Sequence, residues 1–269
     1  MERVKVLYIS QEITPYVPEN EMSIIARYLP QGMQERGREI RTFMPRYGCV
    51  NERRNQLHEV IRLSGMNLII NNTDNPLIIK VASIQSARMQ VYFIDNEDYF
   101  KRKATIRDEN GNLFTDNDER IIFFARGVLE TVKKLRWAPD IVHCHGWFSA
   151  LAPIYIKKAY YEDPLFMNSK VVFSVYDNEF EGSLNPQLAN KMLYEDIEEE
   201  DVAIINNPTY NNIIRLAVQY SDAVIIGSQN ISKDTRKVIE NSNKPFLDYQ
   251  PNETYIDEYS KFYDKILEE

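Results

Sequence analysis

Pro139-Asp140-Ile141-Val142-His143-Cys144-His145-Gly146-Trp147 sets the architecture of this 269-residue chain. Pro139 restarts the chain, and Asp140 to His145 is a short apolar run that reads as a buried strand. A strong helical pattern precedes it. Asp116-Asn117 offers an N-cap, Asp118 and Glu119 suit the positive end of the helix dipole, and Lys133, Lys134 and Arg136 suit the negative end. The core stripe of that helix is Ile121, Ala125, Val128, Val132 and Leu135. After the strand, Trp147 to Tyr161 is again helix-like. Strands separated by helices of this length imply right-handed crossovers and a parallel sheet with both faces covered.

The same alternation extends outward. Val4 to Ser10 reads as a first buried strand, ended by Pro15 and Pro18. Met22 to Arg36 is helical, with Ile25, Leu29 and Met33 on one stripe, a kink expected at Pro30 and a stop at Gly37. Glu39 to Met44 is a second strand. Leu57–Leu63, Met66–Ile70, Leu77–Ile84 and Met89–Ile94, with turns at Ser64-Gly65 and Asn71 to Pro76, predict a small hairpin insertion. Beyond the central stretch come strands at Lys170–Tyr176 and Ala223–Gly227 and helices at Asn212–Tyr220 and Ser232–Glu240. The expected fold is α/β: a single Rossmann-like, doubly wound, mostly parallel sheet over residues 1–242. Residues 243–269 follow as a polar linker, Asn243 to Thr254, and a terminal helix. That helix carries Tyr255, Tyr259, Phe262, Tyr263 and Ile266 on one stripe, which predicts docking onto the main domain.

Composition excludes several classes. Hydrophobic content of 43% and 12% aromatics supply a core, so disorder is not expected. A net charge of −8 argues against non-specific nucleic-acid binding. No run approaches the ~20 apolar residues of a membrane span, and Met1 to Ser10 is too short an apolar core for a secretory signal. Cys49 and Cys144 cannot form a disulfide framework and fit a reducing compartment, so a cytoplasmic protein is expected. The nine glycines include no G-x-G, which excludes the dinucleotide fingerprint and the phosphate loop.

Ligands of open parallel sheets bind beyond the carboxyl ends of the strands, so residues there are the candidates. The first strand ends at Ser10-Gln11-Glu12, the central one at His143-Cys144-His145-Gly146, and the next at Tyr176-Asp177-Asn178-Glu179. His143 and His145, two apart, face one side of the sheet. A zinc site would need a further ligand, and Cys144 points the opposite way, so no metal is expected. His143 reads as buried and hydrogen-bonded, whereas His145 stays open between that role and a ligand-facing one. Glu195 to Asp201 reads as a solvated helix end or loop, with a basic partner as the alternative. No G-x-S-x-G occurs, and Cys144 faces the packed side of its strand, which leaves no evident nucleophile.

At these residues the chain resembles the N-terminal half of the bacterial glycogen synthase and plant starch synthase family. Val6-Leu7-Tyr8-Ile9-Ser10-Gln11-Glu12-Ile13-Thr14-Pro15-Tyr16 is similar to the family's first strand and loop. Leu29-Pro30, Arg36-Gly37 and Met44-Pro45-Arg46-Tyr47 resemble its first helix and second strand. Asp116-Asn117-Asp118-Glu119-Arg120 with Phe123-Phe124 follows D-N-x-E-R-F, and Pro139 to Trp147 follows P-D-V-V-H-x-H-D-W, continued by Ala150-Leu151-Ala152-Pro153. Phe173-Ser174-Val175-Tyr176-Asp177-Asn178 with Gly182 is similar to F-T-I-H-N and its later glycine, and Tyr220-Ser221-Asp222-Ala223-Val224 to Y-A-D-x-V. The resemblance, spread over about residues 1–240, implies one lobe of a two-lobed glycosyltransferase of the B type. Such enzymes move glucose from ADP-glucose, a substrate rather than a cofactor, to an α-1,4-glucan with retention. It implies a catalytic role for His145 and substrate contacts from Asp116, Asn117, Glu12 and Asp177.

The departures bear on activity. The K-x-G-G-L loop, which approaches the donor phosphates, aligns with Pro18-Glu19-Asn20-Glu21-Met22, so a cationic turn has become acidic. The aspartate of H-D-W is Gly146, and the histidine of F-T-I-H-N is Tyr176. The donor-binding lobe has no counterpart among these residues, although Tyr255 to Tyr263 resembles the family's last, returning helix, which suggests an internal deletion. The expectation is a family member catalytically impaired alone. The alternative is a non-catalytic module that binds α-glucan or a protein in polysaccharide metabolism; a third possibility is complementation by a separate donor-lobe polypeptide, with a homodimer as the other way to cover the face left by the missing lobe. Tyr16, Trp147, Tyr176 and Phe180 could stack on sugar rings, with core packing as the other reading.

Overall fold

The computed structural model describes residues 3–268; Met1, Glu2 and Glu269 lie outside the described residues. Strand β1 (Lys5–Ser10) leads into helix α1 (Glu21–Glu35) and strand β2 (Glu39–Pro45). Next come β3 (His58–Glu59), β4 (Met66–Ile70), β5 (Thr73–Ile84), β6 (Met89–Asp95) and the short α2 (Glu97–Phe100). Helix α3 (Asn117–Leu135) feeds β7 (Ile141–His145), and α4 (Ala152–Ile154) precedes β8 (Lys170–Val175). Helices α5 (Leu188–Lys191), α6 (Glu199–Val202) and α7 (Tyr210–Gln219) lead to β9 (Ala223–Ile226) and α8 (Lys233–Glu240). Strand β10 (Phe246–Leu247) and helix α9 (Tyr255–Glu268) close the described chain.

All of the strands join one sheet, ordered β10-β9-β8-β7-β1-β2-β6-β5-β3, with β4 paired to β5. From β10 to β6 every pairing is parallel; β5 runs antiparallel to β6, β4 and β3. The sheet therefore grows in opposite directions from the β1/β7 pair, which makes the carboxyl ends of those strands its switch point. Alternation along the strands divides the core. Leu7, Ile9, Phe43, Val142 and Cys144 pack with α3, α4 and α7 on one face, while Val6, Tyr8, Ile141 and Val172 pack with α1 and α9 on the other.

Several elements differ from their sequence reading. The expected hairpin insertion is part of the main sheet, because β5 pairs with β6 from Ile78↔Asp95 to Ile84↔Met89. Its turn is only Asn71-Asn72, both left-handed, and Thr73 to Pro76 are already strand. Helix α1 is continuous through Pro30, since Leu29, Pro30 and Met33 are buried and their packing offsets the missing donor. The run after Trp147 is not one helix. It is a 3-10 turn at Trp147–Ser149, an α turn at Ala152–Ile154 and a π turn at Tyr155–Ala159, because Pro153 lacks the amide a continuous helix would use. The polar segment 243–254 is not all linker: β10 takes the open edge of β9 in parallel register, Phe246↔Val224 and Leu247↔Ile225.

Helix α9 lies across α1. Tyr255, Tyr259, Phe262, Tyr263 and Ile266 are buried, at about 1.5–3 kcal/mol for each large apolar side chain removed from water. The helices approach at Gly32, where a β-carbon would stand 2.5 Å from Ile256 Cγ2. Arg36 pairs with Asp257, and Arg38 reaches Asp264 at 2.9 Å and Ser260 Oγ at 3.0 Å. No helix among the described residues is long and apolar enough to cross a membrane.

Candidate functional site

The switch point gathers the ends of β1, β7 and β8. Parallel register sets Tyr8 beside His143 and Ser10 beside His145, with Val172 and Ser174 on the other side. Neighbours in register point the same way, so one polar layer faces α1 and α9. The two imidazole rings lie 3.9 Å apart, centroid to centroid. His143 uses both nitrogens, Nδ1 with the Tyr263 hydroxyl at 2.5 Å and Nε2 with Ser174 Oγ at 2.6 Å. His145 Nδ1 meets the Tyr176 hydroxyl at 2.7 Å, while Nε2 is buried without a protein partner, as are Tyr8 Oη and Ser10 Oγ. Burial pushes the His145 ring down to about 3 and His143 well below its usual range, so both are neutral at physiological pH. The residues settle His143 as a buried, bonded histidine. They place His145 fully out of solvent, behind Tyr176, with only Nε2 uncommitted.

Gly146 turns the chain at φ +79°, and the room an aspartate would need is taken. A β-carbon there would stand 2.6 Å from Met22 Sδ and 2.7 Å from Gln11 Oε1. Gln11 is buried and accepts from Phe148 N at 3.1 Å and Asn178 Nδ2 at 3.4 Å, which ties together β1, the turn after β7 and the loop after β8. Sequence reading placed Gln11 among the strand-end residues but gave it no role of its own; its signal was a polar residue at the end of a buried strand.

The first turn of α1 borders this crevice. A helix N-terminus presents unpaired N–H groups and a positive dipole end, which suits a phosphate. Here a capping box takes part of it. Asn20 Oδ1 accepts from Ser23 N at 2.8 Å, and Ser23 Oγ accepts from Asn20 N at 2.9 Å. Three carboxylates flank the turn in sequence or space: Glu19, Glu21 and Glu12, whose Oε2 accepts from Asn20 Nδ2 at 2.5 Å. Burial raises the Glu12 carboxyl above the usual range, against the pull of its amide partners.

The remaining candidates fall into a second group. Asp116 caps α3 by position but makes no side-chain cap bond; it pairs with Arg102 at 2.6 Å. Asn117 is buried, accepting from Arg120 Nη1 at 2.6 Å and donating to Ile106 O at 2.9 Å. Arg120 is a residue the sequence reading did not single out. It is fully buried over the Phe100, Phe114 and Phe148 rings, donates to Thr105 O at 2.7 Å, and is pushed down to about 10 by burial. The two groups are therefore linked through Phe148, whose ring lies under Arg120 and whose amide holds Gln11. Asp177 stands apart: it is exposed, with its backbone N–H donating to Ser228 Oγ at 3.0 Å. Tyr16, Trp147, Tyr176 and Phe180 are all buried, so each packs in the core. Among the described residues no three His, Cys, Asp or Glu side chains are grouped to hold a metal ion.

Comparison with known proteins follows the same outline. A family model described as the starch synthase catalytic domain matches residues 5–240. The glycogen synthase of Chlorobium limicola is 38% identical over 194 residues, covering 72% of this chain and 40% of that protein. That of Pelodictyon phaeoclathratiforme is 34% identical over 226 residues, covering 84% and 46%. The catalytic domain of starch synthase IV from Arabidopsis thaliana, solved with ADP and acarbose, superposes with a TM-score of 0.73 at 17% identity. It covers 92% of this chain and 51% of that one. The chain thus spans about half the length of the relatives it matches.

Proposed function

The chain belongs to the starch synthase catalytic domain family, and from that premise we propose that these residues bind α-glucan but do not by themselves transfer glucose from ADP-glucose. The observation that carries the reading is the capped and acidic first turn of α1. A departing diphosphate needs N–H groups and cations aimed at it. In this turn Ser23 N is already taken by Asn20 Oδ1 and Asn20 N by Ser23 Oγ, no cation faces it, and Glu12, Glu19 and Glu21 stand around it. Opposite charge at a phosphate site becomes like charge, which repels at every distance within the screening length.

The second support is the state of His145. A group acting on the transferred sugar must reach it, and this ring is enclosed by Tyr176 with no solvent-exposed surface. The glucan half of the proposal rests on the family and on acarbose, the sugar-like ligand of the starch synthase IV structure. The test is glucose incorporation from radiolabelled ADP-glucose into glycogen by the purified chain. The expected result is incorporation at background level, with the protein retained on a glycogen matrix. Time-dependent incorporation proportional to protein would overturn the first half, and failure to be retained the second.

A further inference from the structure

A cavity of about 410 Å³ opens at the amino edge of the sheet, opposite the switch point. It lies where β2 and β6 begin, where β5 ends and where the last turn of α1 passes. Ile84 and Met89, both buried, give it an apolar wall. Arg41 and Arg88 line it, and no carboxylate does. In a chain of net charge −8 that is a departure. Arg38, Arg102 and Arg236 pair with Asp264, Asp116 and Asp248, whereas Arg41 and Arg88 form no ion pair among the described residues. The carboxylate of β2, Glu39, accepts instead from the Trp137 indole at 2.5 Å.

Both guanidinium groups sit on fixed supports. That of Arg41 lies 5.2 Å from the Trp137 ring centroid and 5.9 Å from that of Tyr92, and its Nη1 donates to the Tyr92 hydroxyl at 2.8 Å. Its Nε is buried without a protein partner. Stacking holds the planar fork in one orientation, so little freedom is lost when an oxyanion binds. Arg88 ends the 3-10 turn Gln85–Ala87 in the left-handed region, at φ +50°. Arg27 Nη2 donates to Ser86 Oγ at 3.4 Å and so ties that turn to α1. Register sets Ser83 beside Gln90 and Phe43 beside Tyr92. Arg41, two before Phe43, therefore faces the same side as Gln90, two before Tyr92. The side chains of Gln34, Gln85, Gln90 and Ser83 line the cavity and make no hydrogen bond among the described residues.

Two guanidinium groups beside one cavity repel each other until an anion lies between them. Their forks match phosphate oxygens in paired, charge-assisted bonds. Carboxamides donate and accept, as hydroxyl groups do. The volume is at the small end of ligand pockets, which suits a phosphate on a short hydroxylated chain rather than a sugar nucleotide. We infer that this cavity binds a small phosphate monoester carrying hydroxyl groups, with Arg41 and Arg88 on the phosphate and Gln85 and Gln90 on the hydroxyls. The inference depends neither on glucan binding nor on glucose transfer.

The experiment is calorimetric titration of the full chain with glycerol 3-phosphate and with inorganic phosphate at low ionic strength. It is repeated on the variants Arg41→Gln, Arg88→Asn and Gln85→Ala/Gln90→Ala, with melting temperatures to confirm folding. Asn tolerates the left-handed region and Arg88 is exposed, so Arg88→Asn keeps the test intact even where Arg41→Gln disturbs the fold. The expected result is saturable glycerol 3-phosphate binding, weakened about tenfold or more in each arginine variant, the scale of one charge-assisted hydrogen bond. The double glutamine variant should weaken glycerol 3-phosphate and leave inorganic phosphate unchanged. Absence of saturable heat from glycerol 3-phosphate, or the same affinity in Arg88→Asn, would overturn the site. Inorganic phosphate bound as tightly as glycerol 3-phosphate would overturn the monoester as its ligand.

Discussion

His143 and His145 set the chemistry of the switch point through what they lack, which is charge. Both rings are buried, and burial holds each below the 6.5 of a free imidazole. The unfolded chain therefore binds protons more readily than the native one as pH falls through that value. The native state keeps its full advantage above pH 6.5 and loses it progressively below. We predict that the melting temperature falls between about pH 6.5 and about pH 5, above the range where most carboxylates titrate. The variant His145→Gln should show a shallower fall; an identical slope would show that His145 does not contribute. A second residue-scale expectation concerns Asn20. Replacing it with Ala removes the cap of α1 and should cost about 1 kcal/mol in denaturant unfolding. No loss would mean that the turn is not held by its own side chains.

The sequence pattern made some of this visible. Two residues of spacing on a β-branched run correctly put both histidines on one face. The occupation of His145 Nδ1 by Tyr176 was not readable, because it depends on the register of two neighbouring strands and on a tyrosine just past the end of one. The surroundings of Asn117 were unreadable for a related reason. Its Oδ1 accepts from Arg120, one turn on, whose burial no spacing showed.

At the scale of elements, long periodic segments were legible and chain breaks were not. The stripe of α9 showed in its sequence spacing, since five large side chains recur at helical intervals. The two-residue β10 was hidden, because its pairing answers an open edge of β9 rather than any pattern of its own. The crossing of α9 over α1 can be tested at Gly32. Gly32→Val inserts atoms where Ile256 already stands, and overpacking of this kind costs about 1–3 kcal/mol. Adding Ile256→Ala should restore part of that loss. Equal destabilisation with and without the second change would show that the helices do not meet there.

The whole molecule is one sheet whose two halves grow apart from β1 and β7, with a crevice at the point where they part. In open parallel sheets such a crevice is the general place for ligands. Here Asn20 and Ser23 cap the first turn of α1, Glu12, Glu19 and Glu21 place acidic side chains around it, and Gln11 and Met22 fill the room beside Gly146. The fold matches the family over these residues while the first turn of α1 is capped and acidic, and scaffold and chemistry can vary separately.

The most direct measurement is a calorimetric titration of the full chain with ADP-glucose at neutral pH and low salt, where an anion site would be most evident. The account predicts no saturable heat up to millimolar ligand. A saturable isotherm abolished by Asn20→Asp, which would add a further negative charge at the first turn of α1, would contradict it.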